Sequence, residues 1–287
     1  MLSAPKASQP HIEVCKRSPM PTPHELSQWT PAQLPDLPGV PAGLTLEARA
    51  KFLWLPNRLG WKLRSKRYAR TKSVEFGLLP FLVPRDRVAV DVGASVGLVT
   101  YFLARLAPTV IAFEPSPQPL KILTRVVDPN VTVCPVGVSS ASGEAELDVF
   151  ATKHGWTMNG ASLSPSHAGS VQSVKVPIKT VALDDVELGD VGFLKIDVEG
   201  HEDAVLAGAQ QTIARCRPVI MIENEFSHVK EGIDTVFAML WASGYQIYGI
   251  RDHVLTDVRS FDVQAFQTAT QADRARYLQN FIAVPKD

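Results

Sequence analysis

From Val88 onward the chain alternates short apolar runs with longer amphipathic ones. VAVDVG (88–93), TVIAFEP, NVTVCPVGV, GFLKIDV, RPVIMIEN and GYQIYGI read as buried strands, apolar along their length. Between them VGLVTYFLARLA, PLKILTRVVD, EDAVLAGAQQTIARC and DTVFAMLWASG carry the three-to-four-residue apolar period of helices. Strands that alternate with helices predict βαβ units: an α/β, doubly wound, mostly parallel sheet with helices on both faces. The order is interrupted once. EAELDVF and VQSVKVPIKTV alternate with period two, which predicts an antiparallel insertion flanking the loop HGWTMNGASLSPSHAGS. The final NFIAVP is expected as an edge strand closing the sheet.

Upstream the pattern changes. Residues 1–45 hold nine of the 22 prolines, mixed with Ser, Gln, His and Thr. A segment of that kind neither continues a helix nor fills a central strand, so it is expected to be extended or disordered. Residues 46–85 form a basic, partly helical N-terminal extension. Between Phe52 and Val74 there is no acidic residue, while Arg58, Lys62, Arg64, Lys66, Arg67, Arg70 and Lys72 are all basic. Trp54, Trp61 and Tyr68 recur every seven residues there, as one face of a helix packed on the domain would; Pro56 and Gly60 predict that the helix starts near Trp61. The same stretch also suits a lid over an acceptor pocket, or a basic surface for a phosphate-bearing substrate, nucleic acid or anionic lipid. Residues 86–287 make up the α/β domain.

Composition narrows the classes. With 287 residues, 45% of them apolar, the chain can bury a sizeable core. Lys+Arg and Asp+Glu both number 29, so net charge makes no case for an anionic polymer, and nucleic acid is not the expected partner. Cys15, Cys134 and Cys216 follow no C-x-x-C pattern, which argues against a disulfide framework and a zinc site and favours a cytoplasmic home. No apolar run reaches the length of a membrane span, and the first residues lack a secretory core. The sequence is compatible with a homo-oligomer.

The candidate chemistry collects at strand ends. The first strand turns into its helix through D-V-G-A-S-V-G: Asp91, Gly93, Ala94, Ser95 and Gly97. In a doubly wound sheet this turn lies where ligands bind. It is not the dinucleotide fingerprint G-x-G-x-x-G, and no G-K-[ST] follows as in a P-loop. An acid two places before the first glycine suits a ligand with an ammonium group. The second strand ends in Phe113-Glu114-Pro115, and a carboxylate at that tip accepts hydrogen bonds from a ribose diol. Together the two features point to S-adenosylmethionine. Further on, Asp197, Glu199, His201 and Glu202 crowd after GFLKI, and the next strand ends in Glu223-Asn224-Glu225. Asp197, Glu223 and Asn224 are candidate ligands for an oxygen-loving cation such as Mg²⁺, which would acidify a bound hydroxyl. Without a metal, His201 or a carboxylate is the candidate base. Glu202 and Asp203 read as complements to the dipole of the following helix, and Glu199 as either a cap or a site residue.

The motifs K-I-D-V-E-G-H-E, Thr180-x-x-Leu183-Asp184, D-V-G-A-S-V-G and F-E-P, in this order, resemble the FkbM family of S-adenosylmethionine-dependent methyltransferases. The resemblance covers about Val88 to Glu225. It implies a class I methyltransferase (Rossmann-like) fold and O-methylation of a hydroxyl on a sugar, glycolipid or natural-product-like acceptor, with Asp197, Glu199 and His201 at the catalytic end. It also implies that Gly137-Val138-Ser139 lies near the adenine, and it extends to the loop Asn159–Leu163. Glu223-Asn224 is similar to the Asp-Asn pair of metal-dependent catechol-type methyltransferases, with Glu in place of Asp. Two rival readings stand beside it: a nicotinamide-dependent oxidoreductase on a similar fold, and a non-catalytic module that holds an anionic polymer through residues 58–72.

Overall fold

A computed structural model describes residues 20–33, 57–71, 74–152, 155–156, 172–225, 233–251, 254–270 and 277–286. The loop Asn159–Leu163, Trp54 and the side chain of Tyr68 lie outside them. Helices α1 (Pro23–Ser27), α2 (Asn57–Thr71) and α3 (Leu79–Leu82) precede β1 (Val88–Val92), α4 (Thr100–Leu106), β2 (Val110–Phe113), α5 (Pro117–Val126) and β3 (Val131–Cys134). A small sheet follows, made of β4 (Gly137–Val138), β5 (Gly143–Thr152), β6 (Gly155–Trp156) and β7 (Gln172–Val181). The chain then returns to the main sheet with β8 (Val191–Ile196), α6 (Glu202–Ala207), α7 (Gln210–Cys216) and β9 (Val219–Glu223). It finishes with α8 (Asp234–Ala242), β10 (Tyr245–Arg251), β11 (Val254–Asp257), α9 (Val263–Thr270) and β12 (Asn280–Pro285).

The eight-stranded sheet runs β11-β10-β12-β9-β8-β1-β2-β3. β3, β2, β1, β8 and β9 are parallel, and β12 is antiparallel to both its neighbours. The chain winds outward from β1 to β3 and then starts again on the other side of β1 with β8. The crevice between β1 and β8 is therefore the switch point at which a doubly wound sheet binds its ligand. Apolar side chains cover both faces: Val90, Val92, Ile111, Leu194, Ile196, Ile220 and Ile222 belong to one cluster, while Ala89, Val110, Phe193 and Met221 join Leu79 and Leu103 in another.

Four expectations change. NVTVCPVGV does not form one strand: it breaks at Pro135, which has no N–H for a ladder, and Gly137–Val138 pair with β7 in the small sheet. EDAVLAGAQQTIARC bends into α6 and α7 at Gly208, where a Cβ would stand 2.1 Å from the Ser139 carbonyl oxygen. NFIAVP is no edge strand. Its Asn280–Ala283 are all buried, and β12 inserts between β9 and β10; β3 and β11 are the edges. The basic helix starts at Asn57, directly after Pro56 and running through Gly60, rather than near Trp61. The antiparallel insertion does form, as β5 paired with β7 over nine positions. Cys134 and Cys216 are free and buried.

Residues 20–33 also depart from the expected extended or disordered start. Thr22 and Glu25 build a capping box, the Glu25 carboxylate accepting from the Thr22 N–H at 2.7 Å and the Thr22 hydroxyl accepting from the Glu25 N–H at 3.2 Å. The capped helix lies against β3, with Leu26 fully buried in the core and the Pro21 carbonyl accepting from the Glu187 N–H. Trp29 packs on the same core and lies under the Lys179 ammonium at 4.5 Å. The segment is a strap over the sheet edge. Replacing Leu26 by Ala removes a side chain with no exposure, and the expected loss is about 2–4 kcal/mol in urea unfolding followed by far-UV circular dichroism; a loss under about 0.5 kcal/mol would show that the strap is not docked.

Candidate active site

β1 and β8 run side by side with Asp91 directly opposite Lys195. Residues two apart on a strand share a face, so Lys195 and Asp197 point the same way. The Lys195 ammonium lies 3.0 Å from Asp197 Oδ2, 3.5 Å from Asp91 Oδ1 and 3.3 Å from the Gly93 carbonyl oxygen it donates to. Burial opposes its charge, but the two carboxylates outweigh burial and hold it protonated, above the ordinary lysine range. Asp91 is fully buried, and its other oxygen accepts from the Thr100 hydroxyl at 2.6 Å. Its charge is thus offset within the protein by Lys195.

The loop after β1 is held from three sides. The Gly93 and Ala94 N–H groups both donate to the Phe113 carbonyl at 3.0 Å. Gly93 has φ +76, and a Cβ there would fall 1.8 Å from the Asp197 carbonyl oxygen, so only glycine lets the two strand tips touch. Ser95, at φ 50, donates its N–H to Glu114 Oε2 at 2.7 Å, and the Ser116 N–H donates to Oε1 at 2.7 Å. Burial pushes the Glu114 carboxyl up to about 7 against the pull of those two donors and Lys195. The Gly97 carbonyl accepts from Trp61 Nε1 at 2.7 Å, which fastens α2 to the loop.

At the end of β8, Glu199 adopts φ 55, a left-handed conformation unusual for a side chain of its size. Glu202 enforces it. Its Oε1 accepts from the N–H groups of Val198 and Gly200, each at 3.2 Å, so the buried carboxylate ties down both flanks of Glu199. Burial lifts Glu202 to about 7 despite those donors. Glu202 therefore does more than complement a helix dipole; Asp203 stays in the first turn, where it accepts from the Ala204 N–H at 2.8 Å. Asp197, Glu199 and Glu223 bring one carboxylate oxygen each within 4.8 Å of one another. Glu223 is buried beside Asp197, and burial followed by that neighbour raises it well above the ordinary carboxyl range; its Oε1 accepts from Gln279 Nε2 at 3.0 Å.

Asn224 follows Glu223 at the end of β9. Its side chain is fully buried, its amide donates to the Ile233 carbonyl at 3.0 Å and its Oδ1 has no hydrogen-bond partner among the described residues, while Glu199 is the third carboxylate of the acidic trio. His201 sits apart from Asp197 in its bonding: its Nε2 is 2.9 Å from the Ser139 hydroxyl, next to Gly137 and Val138, and burial lowers its pKa. Lys195 and Gln279 were missed in the sequence, and Glu202 was read there only as a complement to the helix dipole. The first was available as the residue two before Asp197 on the same strand face.

A family model described as Methyltransferase FkbM domain matches residues 91–247, over half of the chain. The chain is 33% identical over 148 residues to hexuronic acid methyltransferase AglP of Haloferax volcanii, covering 47% of this chain and 55% of that protein. It is 26% identical over 166 residues to methyltransferase sdnD of Sordaria araneosa, covering 45% and 62% respectively. It thus spans little more than half the length of these curated relatives. A solved FkbM methyltransferase from Methylobacillus flagellatus superposes with a TM-score of 0.45 at 18% identity, over 83% of this chain and 57% of that one.

The pH dependence of stability checks the Glu202 strut. The carboxyl ordinarily titrates near 4.5 and is raised to about 7 in the fold. Between those values the folded state binds more protons than the unfolded one, so stability falls as pH rises through the window. Glu202→Gln keeps the carbonyl acceptor without the titration. The expected result is a thermal midpoint that drops less than wild type's between pH 5 and pH 8; parallel curves would contradict it.

Proposed function

We infer, from a chain that belongs to the FkbM methyltransferase family and carries the class I methyltransferase fold, that it binds S-adenosylmethionine and methylates a hydroxyl group. The observation that carries this reading is the meeting of the Gly93 loop, Glu114 and Asp197 at the β1/β8 switch point. The site fits the cofactor. Glycine at Gly93 lets the loop pack on the Asp197 carbonyl, which sets the backbone of that loop beside the end of β8. Glu114 has oxygen lone pairs left beyond its two N–H donors, as a ribose diol requires. Ser139, which the family resemblance sets near the adenine, would line that side together with its partner His201.

When bound, the cofactor supplies a methyl group on a sulfonium, whose transfer is an in-line displacement. The protein's share is alignment and proton removal. Asp197, 32% exposed on its side chain and held by Lys195, is the group we assign to receive the acceptor's proton. Glu199, aimed by its flanking bonds to Glu202, faces the same space. The hexuronic acid named for the Haloferax relative, which offers a carboxyl as well as hydroxyls, favours a sugar as the acceptor.

A second reading concerns a cation. Three carboxylate oxygens within 4.8 Å suit a hard divalent ion, which Asp197, Glu199 and Glu223 would hold and which would acidify a bound hydroxyl. Activity that survives chelator undiminished removes the ion from the mechanism; loss in chelator with recovery on Mg²⁺ add-back supports it.

Calorimetric titration with S-adenosylhomocysteine and with NAD tests the main reading, and binding of NAD alone overturns it in favour of an oxidoreductase. Glu114→Ala is expected to weaken S-adenosylhomocysteine binding by about tenfold to a hundredfold, the worth of hydrogen bonds to a charged acceptor. Asp197→Ala is expected to bind it within a few-fold of wild type yet to lose turnover on whichever glycan, lipid-linked or polyketide hydroxyl a screen with methyl-labelled cofactor identifies. Normal turnover in that variant would remove Asp197 from the chemistry.

A further inference from the structure

Helix α2 has two unlike sides. Trp61 and Ser65, four apart, are buried; Trp61 packs edge-on against Tyr101 and donates to the Gly97 carbonyl, and the helix lies on α4 and α5. Leu59, Lys62, Leu63, Lys66 and Arg67 have the spacing of a single stripe, and all five are exposed. Within the stripe the leucines lie side by side, 45% and 49% exposed, with Lys62 and Lys66 along one flank and Arg67 along the other. The helix carries six basic residues and no acidic one. Phe81, 86% exposed, projects from α3, a neighbouring helix packed on the same α4.

Cations alone would suit any polyanion. A phosphate backbone gains nothing from leucines in the middle of the contact, whereas a bilayer surface does. There the leucines enter the acyl boundary while lysine and arginine stems reach back to the headgroup phosphates. We propose that the outer face of α2 docks the protein onto anionic phospholipid bilayers. The docking is a surface contact: no helix among the described residues is long and apolar enough to cross a membrane. The Trp61–Gly97 bond joins this face to the loop after β1, so a docked protein holds its candidate site beside the lipid surface. The proposal goes beyond methyl transfer and stands or falls without it.

Cosedimentation of the full chain with vesicles tests it, comparing equal parts of phosphatidylglycerol and phosphatidylcholine with phosphatidylcholine alone. Binding to the mixed vesicles only is expected, weakening as salt rises from about 0.1 M to about 0.5 M. Leu59→Ser with Leu63→Ser is expected to lower partition by about tenfold or more, because both side chains are already exposed in the fold and leave it intact. The thermal midpoint and far-UV circular dichroism confirm that the variant is folded. No partition onto the anionic vesicles overturns the proposal. So does partition that the leucine substitutions leave unchanged, accompanied by equally tight binding to single-stranded RNA homopolymer, since that pattern belongs to a general polyanion surface.

Discussion

The site depends on one buried ammonium group. Asp91 and Asp197 stand at the tips of adjacent strands, the first with no exposure at all, and two such carboxylates without a counter-charge would make the β1/β8 crossing untenable. Lys195 resolves this from within the sheet, since the parallel register sets it opposite Asp91 and the strand pleat aims it toward Asp197. Its third contact, to the Gly93 carbonyl, binds the glycine loop into the same arrangement. The result is one fixed cation around which two strand ends and a loop take their positions.

Around it the other acids hold distinct ranks. Glu202 is buried and accepts backbone donors, so its work is to shape the turn that carries Glu199. Glu114 does the same for Ser95 while keeping acceptor capacity in reserve. Glu223, buried beside Asp197, gives up its proton less readily than an exposed carboxyl would. Strained backbone at Ser95 and Glu199 is thus matched in each case by a carboxylate that accepts from the strained segment, which is how such conformations persist at a site.

Much of this was legible in the sequence, for identifiable reasons. Apolar runs broken by amphipathic ones gave away the parallel sheet, and period-two alternation located β5 and β7. Asp91, Glu114, Asp197 and Glu223 were found because each ends a strand, and strand ends share one edge of the sheet. What escaped was long-range. No local pattern tells that Asn280–Ala283 inserts between two strands rather than flanking one, or that Glu202 turns back on Val198 instead of facing solvent. Lys195 hid because a lysine inside an apolar strand looks like an exception until its partners across the ladder are known. The proline-rich start misled through composition: prolines at Pro21 and Pro23 are compatible with a short capped helix, and Leu26 and Trp29 gave it something to bury.

The placement of β12 has a consequence for how the molecule is built. β9 and β10 emerge from the ribosome well before the strand that separates them, so the nascent sheet has a gap between two strands that cannot yet pair with their final neighbours. Gln279, at the start of that late segment, donates its side chain to Glu223 and its carbonyl accepts from the Asn224 N–H. The acidic end of the site is therefore braced only when β12 is in place, by a contact between residues 56 positions apart in the chain.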